Sequence, residues 1–285
     1  MSEVFGFDAY SPTEIARRVE TVGESKARMA LLPLTMLGVL AGAFIGLGAM
    51  LFIMVRSDAS LGFAASSFAG GLVFSLGLLM VVVAGAELFT GNNLLIMAWA
   101  DGHISGAQVL RNWTVVCVAN FVGAAGLALL VFWSGHPQLN GGAVGQKAVQ
   151  IALAKQALPF WTALVRGVLC NVLVCMAVWM ALAGRSVVDK AVAVVFPIMA
   201  FVAAGFEHSI ANMYLMPLAM LLQDSGVLAS GAAVTWTGML GNLVPVILGN
   251  LLGGAGLVGL VYWAIYLRKP TPHGGAAAVD ADAAH

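Results

Sequence analysis

Glu87, Glu207 and His208 lie inside long apolar runs, where an ionisable side chain is costly and marks function by default. Imidazole is the side chain that exchanges a proton near neutral pH. His208 directly follows Glu207, and its counterpart beside Glu87 is Leu88, so similarity between the two stretches repeats the carboxylate but not the histidine. Glu87 and Glu207 are expected to brace loosened backbone. Asn92 and Asn212 are expected to cap or tie the chain where helix restarts. Thr90 adds a small hydroxyl at the first of these places. A small anion could not stand unpaired at such a depth, because desolvating a charge is expensive. Helix N-termini would offer it backbone N–H groups and a positive dipole end. Thr90 and His208 would add hydrogen bonds, and a proton from His208 would let the guest cross dry constrictions as a neutral acid. A carboxylic acid titrates near ~4 and imidazole near ~6.5 in water, so the transfer is uphill there. A dry cavity penalises the separated charges and narrows the gap.

Such chemistry needs walls. Of 285 residues 61% are apolar and 9% charged, against roughly 25% charged in soluble domains. Thirteen Lys and Arg balance thirteen Asp and Glu, which leaves no basic surface for a nucleic acid. The composition excludes a water-soluble globule and predicts an all-α polytopic protein in a lipid bilayer. Six segments, 29–55, 68–100, 107–134, 158–183, 191–222 and 238–267, reach the ~20 residues that a spanning helix needs. With a cytoplasmic N-terminus, Arg17, Arg18, Lys26, Arg28, Arg111, Arg185, Lys190, Arg268 and Lys269 lie inside. Arg56, Lys147 and Lys155 lie outside, and Arg166 falls within the fourth span. Nine against three places both termini in the cytoplasm by the positive-inside rule. The charged first 28 residues make the first apolar run a permanent span rather than a signal peptide.

The second and fifth segments run to 33 and 32 residues. As straight helices they would be ~50 Å long, against a hydrocarbon core of ~30 Å. Each is therefore expected to break near the bilayer centre. The breaks resemble each other: Ala84-Gly85-Ala86-Glu87 and Ala204-Gly205-Phe206-Glu207 match at an offset of 120, as do Asn92 and Asn212. At an offset of 130, Asn112, Asn120, Gly123, Gly126 and Trp133 match Asn242, Asn250, Gly253, Gly256 and Trp263. The ordered set predicts two three-span repeats, and an odd number of spans inverts the second. Paired interrupted helices in such a chain point to a transport site at the midplane. Gly123, Gly126, Gly249 and Gly253 are expected to permit close helix contact.

The chain divides accordingly into a cytoplasmic helix (1–28), a first repeat (29–134), an extracytoplasmic connecting loop (135–157), a second repeat (158–267) and a disordered cytoplasmic tail (268–285). Ser11-Pro12-Thr13-Glu14 is a capping box, followed by Ile15, Val19 and Val22 on one face: an amphipathic helix that anchors to the membrane or plugs the inner mouth. Lys147 and Lys155 stand in a loop without acidic residues, and Lys155 either concentrates anions at the outer mouth or anchors at the interface. Cys117, Cys170 and Cys175 read as small buried hydrophobes. No spacing names a metal site or a cofactor.

Gly85-Ala-Glu-Leu-Phe-Thr-Gly-Asn92 and Gly205-Phe-Glu-His-Ser-Ile-Ala-Asn-Met213 resemble the signatures of the formate/nitrite transporter family, as do Arg166-Gly-Val-Leu-Cys-Asn171 and Gly184-Arg-Ser-Val-Val-Asp-Lys190. The resemblance implies an aquaporin-like protomer in a homopentamer of the bacterial inner membrane, with one anion pore per protomer. It implies that His208 protonates the anion, that Thr90 is the hydroxyl of the first break, and that Lys155 and Asn171 attract and orient the anion beside the pore, next to Glu207. It also implies an outer constriction of Phe74, Leu88 and Phe201 and an inner one of Leu78, Phe89 and Val174. The Gly-Arg-Ser-x-x-Asp-Lys loop leans to the formate branch, whereas Gly91-Asn92 looks nearer to the nitrite branch.

The expected function is a channel or proton-coupled transporter for a small monovalent anion, formate first. Nitrite, hydrosulfide, acetate and lactate are alternatives. An aquaporin-like pore for neutral solutes fits the topology, but neither break contains Asn-Pro-Ala. An enzyme is not expected, because no His-Glu-x-x-His or paired-Asp constellation occurs.

Overall fold

The computed structural model describes residues 10–226 and 232–268. The tail expected beyond Arg268 lies outside them. Among the described residues all regular structure is helical. The first half comprises α1 (Pro12–Arg28), α2 (Leu31–Arg56), α3 (Phe63–Ala84), a 3-10 turn (Gly91–Leu95) running into α4 (Ile96–Ala100), and α5 (Gly106–Trp133). The second comprises α6 (Ala143–Gln156), α7 (Phe160–Ala183), α8 (Val187–Ala203), α9 (Ser209–Asp224), and α10 (Trp236–Leu251), which continues through π-helical turns (Leu252–Leu260) into α11 (Val261–Tyr266). Among the described residues α2, α3, α5, α7 and the Trp236–Tyr266 run are long and apolar enough to cross a bilayer. The stretch expected as the fifth span is two shorter helices, α8 and α9.

Local chemistry explains where helices start and stop. Ser11 accepts from the Glu14 N–H while the Glu14 carboxylate accepts from the Ser11 N–H, and Pro12 opens α1, as its sequence predicts. Ser105 with Gln108 and Ser186 with Asp189 build the same box at α5 and α8. Helix α3 ends on Gly85 with φ +80°, and the turn after α8 uses Gly205 with φ +71°. That left-handed backbone costs an L side chain roughly 1–2 kcal/mol, so glycine ends both helices without strain. The segment 135–157, expected to be a connecting loop, contains the 14-residue helix α6. The missing signal was amphipathicity: α6 buries Val144, Ala148, Val149 and Ala152 beneath few charges.

Helix α2 packs against α3 and α5, α3 against α8, and α7 against α8 and α10. Contact is closest where glycine removes the Cβ. A Cβ on Gly123 would overlap the Val39 carbonyl, and one on Gly253 the Val168 carbonyl. Gly126, expected to share this role, meets nothing within 4 Å, and neither does its counterpart Gly256. Gly123→Ala and Gly253→Ala are therefore each expected to cost about 1–3 kcal/mol, because a backbone carbonyl cannot step aside. Gly126→Ala and Gly256→Ala should leave the thermal midpoint of the purified protein unchanged. Equal midpoints for all four variants would contradict the packing.

Outside the spans, α1 lays Ile15, Ala16, Val19, Gly23 and Ala27 against the rest of the chain. Its polar edge faces the turn after α4. There burial, followed by the hydrogen bond and charge of Asp101, pushes the Glu20 carboxyl up to about 7.

Candidate functional site

Both glutamates are buried in matched hydrogen-bond networks. The Glu87 N–H donates to the Leu37 carbonyl (3.2 Å), and the Glu207 N–H to the Arg166 carbonyl (3.2 Å). Asn92 Nδ2 donates to Glu87 (2.7 Å) and to Asn112 Oδ1 (3.0 Å); Asn212 Nδ2 donates to Glu207 (2.7 Å) and to Asn242 Oδ1 (2.7 Å). Asn120 ties the backbone of the first stretch, accepting from Phe89 N–H (2.9 Å) and donating to the Glu87 carbonyl (2.9 Å). Asn250 does the same for the second, accepting from Ser209 N–H (3.1 Å) and donating to the Glu207 carbonyl (3.1 Å). Unpaired buried backbone groups cost free energy, and these amides satisfy the groups that the interrupted helices leave open.

A lysine completes each network. Lys155 Nζ lies 2.8 Å from Glu207 Oε1, and Lys26 Nζ lies 3.1 Å from Glu87 Oε1 and 2.9 Å from Asn92 Oδ1. Asn242 Nδ2 donates to the Lys155 carbonyl and Asn112 Nδ2 to the Lys26 carbonyl, so the match extends to the helices that carry the lysines, α6 and α1. Sequence reasoning missed Lys26. A lone lysine shortly before each Leu-Pro opening, at Leu32-Pro33 and Leu158-Pro159, was the available signal.

The two interrupted stretches meet at His208 and Thr90. His208 is the N-cap of α9: its Nδ1 accepts from the Ala211 N–H (3.2 Å). A backbone amide keeps its hydrogen, so Nδ1 acts as acceptor and Nε2 carries the ring proton. Nε2 stands 3.1 Å from Thr90 Oγ1 and donates to it. The Phe201 ring stacks on the imidazole with centroids 5.8 Å apart, and Phe74 meets Phe201 edge-on at 5.8 Å.

Two cavities of about 280 Å³ approach this junction. The one on the α1 side is lined by Lys26, Glu87, Leu78, Leu88 and Lys190, among others. The one on the α6 side is lined by Lys155, Glu207, Arg56, Arg166, Phe74, Phe201 and His208, among others. Between them lies a closed apolar gap bounded by Phe74, Leu78, Leu88, Val174, Phe201 and His208. Each cavity is lined by one carboxylate and more than one cation, Glu87 with Lys26 and Lys190, and Glu207 with Lys155, Arg56 and Arg166.

The expected site residues therefore fall into distinct places. Phe74, Leu78, Leu88, Val174 and Phe201 bound the gap, with Leu88 also facing the α1-side cavity. Phe89 lies in the core and lines none of these spaces. Asn171 is fully buried and donates to the Thr90 carbonyl (3.2 Å), Asn93 Oδ1 (2.8 Å) and the Asn250 carbonyl (2.7 Å). It holds Thr90 rather than facing a cavity, because the interrupted chain leaves those carbonyls to be satisfied.

The sequence profile described as "Formate/nitrite transporter" matches residues 13–264. The formate channel FocA of Escherichia coli strain K12 is 38% identical over 279 residues, covering 94% of this chain and 98% of the relative. The chain belongs to the formate/nitrite transporter family. A solved structure titled "Pentameric formate channel with formate bound" superposes with a TM-score of 0.77 at 36% identity, covering 84% of this chain and 98% of its own. A second, an "FNT family ion channel", gives 0.79 at 31% identity, covering 89% and 99%. Members of the formate/nitrite transporter family are channels or transporters rather than enzymes, and this chain is accordingly a membrane transport protein.

Proposed function

We propose that the chain conducts a small monovalent anion, formate first, and that His208 supplies the proton with which it crosses. The observation that carries this reading is the Nε2–H of His208 donating to Thr90 between two apolar-sealed cavities. A bare anion cannot enter the gap, whereas a neutral acid can. In the resting geometry the imidazole is neutral, because charging it would put a hydrogen on Nδ1 and break the bond from Ala211. The surplus positive charge beside His208 gathers the anion. As it arrives the ring gives up the Ala211 bond and takes a proton from solution on Nδ1, and Nε2–H passes its proton to the carboxylate. The neutral ring left with hydrogen on Nδ1 returns to the resting tautomer by losing that proton to solution and regaining one on Nε2. Lys155 and Glu207 hold the loop together and set the charge at the mouth. Asn171 fixes Thr90, and Phe89 packs behind the constriction.

The matched networks support two three-span repeats, the second inverted, with their broken helices meeting at the centre, and the division of the chain set out above with α6 as part of its connecting segment. The same reading puts the protein in a bacterial inner membrane with both termini and α1 cytoplasmic. It assembles as a homopentamer, like the formate-bound neighbour.

A panel of formate, nitrite, hydrosulfide, acetate, lactate and glycerol in proteoliposomes between pH 5 and 8 tests the proposal. Formate should enter fastest and faster at lower pH, and glycerol should be excluded. Nitrite outrunning formate would assign the chain to the branch that Gly91-Asn92 resembles. Rapid glycerol entry would instead mark a neutral-solute pore.

A further inference from the structure

Away from the cavities, α1 and the turn after α4 bring one histidine and three carboxylates together. His103 Nδ1 lies 2.8 Å from Glu24 Oε1, and Glu24 is held in turn by Arg28 at 3.4 Å. A carboxylate only accepts, so Nδ1 carries a hydrogen and the ring is oriented by Glu24. That leaves Nε2 facing Glu20 Oε1 at 3.1 Å and Asp101 Oδ2 at 3.3 Å. Glu20 Oε1 is shut off from solvent and turned toward the ring. The other Asp101 oxygen, Oδ1, accepts from Trp263 Nε1 (3.2 Å), so Oδ2 is the oxygen turned inward.

We infer that Glu20, Asp101 and His103 form a site for a divalent transition-metal ion that clamps α1 to the turn before α5. Their ligand atoms all lie within 4.8 Å of one another. Donors held at ~2.0–2.2 Å from such an ion stand about 3–3.5 Å apart, the spacing that Nε2 keeps from both oxygens. A carboxylate on the far ring nitrogen is the outer-shell arrangement that fixes the tautomer of a metal-binding histidine. Imidazole with two carboxylates suits a borderline cation such as Zn²⁺ or Co²⁺ better than Ca²⁺ or Mg²⁺. Three donors leave positions for water, so the site holds the ion without closing it off. Spacing in the sequence could not reveal it, because Glu20 and His103 are 83 residues apart. Because α1 also carries Val19, Val22, Gly23 and Lys26 to the cavity wall, an ion here would fix that wall.

Titrating Co²⁺ into tag-free full-length protein, stripped with EDTA and held in detergent, tests the site without reference to transport. One ion per protomer should bind with visible ligand-field bands, and Zn²⁺ should displace it. His103→Ala should abolish the bands while the elution volume of the assembly stays unchanged. Asp101→Asn and Glu20→Gln, which keep shape, should each weaken binding at least tenfold, and Glu24→Gln should weaken it by about 10–100-fold through the ring's orientation. Absence of saturable binding to the unaltered protein, or binding by His103→Ala with unchanged affinity, would overturn the site. So would a loss in His103→Ala unaccompanied by any loss in Glu20→Gln and Asp101→Asn.

Discussion

His208→Phe is expected to lower proton-linked formate uptake by at least about 100-fold, the usual worth of a positioned acid. The substitution keeps a flat ring against Phe201 but removes the donor to Thr90 and the acceptor for Ala211. The same change removes the N-cap of α9, at a cost of about 0.5–2 kcal/mol. His208→Asn separates the two effects. Asparagine is a good N-cap whose Oδ1 can stand where Nδ1 stood, yet it takes up no proton near neutral pH. Uptake should therefore fail in both variants, with α9 intact in the second. Undiminished proton-linked uptake by His208→Asn would remove the histidine from the mechanism.

The second large effect concerns Lys155. Its side chain is 16% exposed, and that of Glu207 is 3% exposed at 2.8 Å. Lys155→Met leaves a buried carboxylate without its cation, which should cost about 3–5 kcal/mol and show as a lower thermal midpoint. Adding Glu207→Gln removes the stranded charge and leaves an oxygen to accept from Asn212, so the double variant should regain most of the loss. A cation and a carboxylate leave the cavity lining together and its net charge is unchanged, so low formate uptake in the double variant would show that the Lys155 ammonium itself meets the anion. Recovery of uptake together with stability would limit Lys155 to a structural role, and an unaltered midpoint in Lys155→Met would show that the pair does not hold the loop.

Much of the frame was legible because membrane chemistry leaves few choices. Apolar runs of sufficient length place most helices, and Ser11-Pro12-Thr13-Glu14 marks a helix start that the structure keeps. Glu87, Asn92, Glu207 and Asn212 could be paired on paper because both halves repeat them. Distances between halves were not legible. Lys26 looked like one more inward-facing charge, and only the fold sets it against Glu87. The partners of Asn171 were hidden as well, since its amide serves the carbonyls of Thr90 and Asn250 from across the fold. Gly126 and Gly123 are alike in sequence, and only helix phase distinguishes the one that meets a neighbouring backbone. The tautomer of His208 was equally hidden, since it depends on the amide of Ala211.

The central claim is that the ion crosses as a neutral acid, and counting protons tests it most directly. Proteoliposomes loaded with a pH-sensitive dye receive an inward formate gradient, with protein-free liposomes as the baseline for direct permeation. The lumen should acidify with one proton for each formate that enters through the protein, and the flux should be indifferent to membrane potential. Formate entry that carries current and leaves the lumen pH at the protein-free baseline would contradict it.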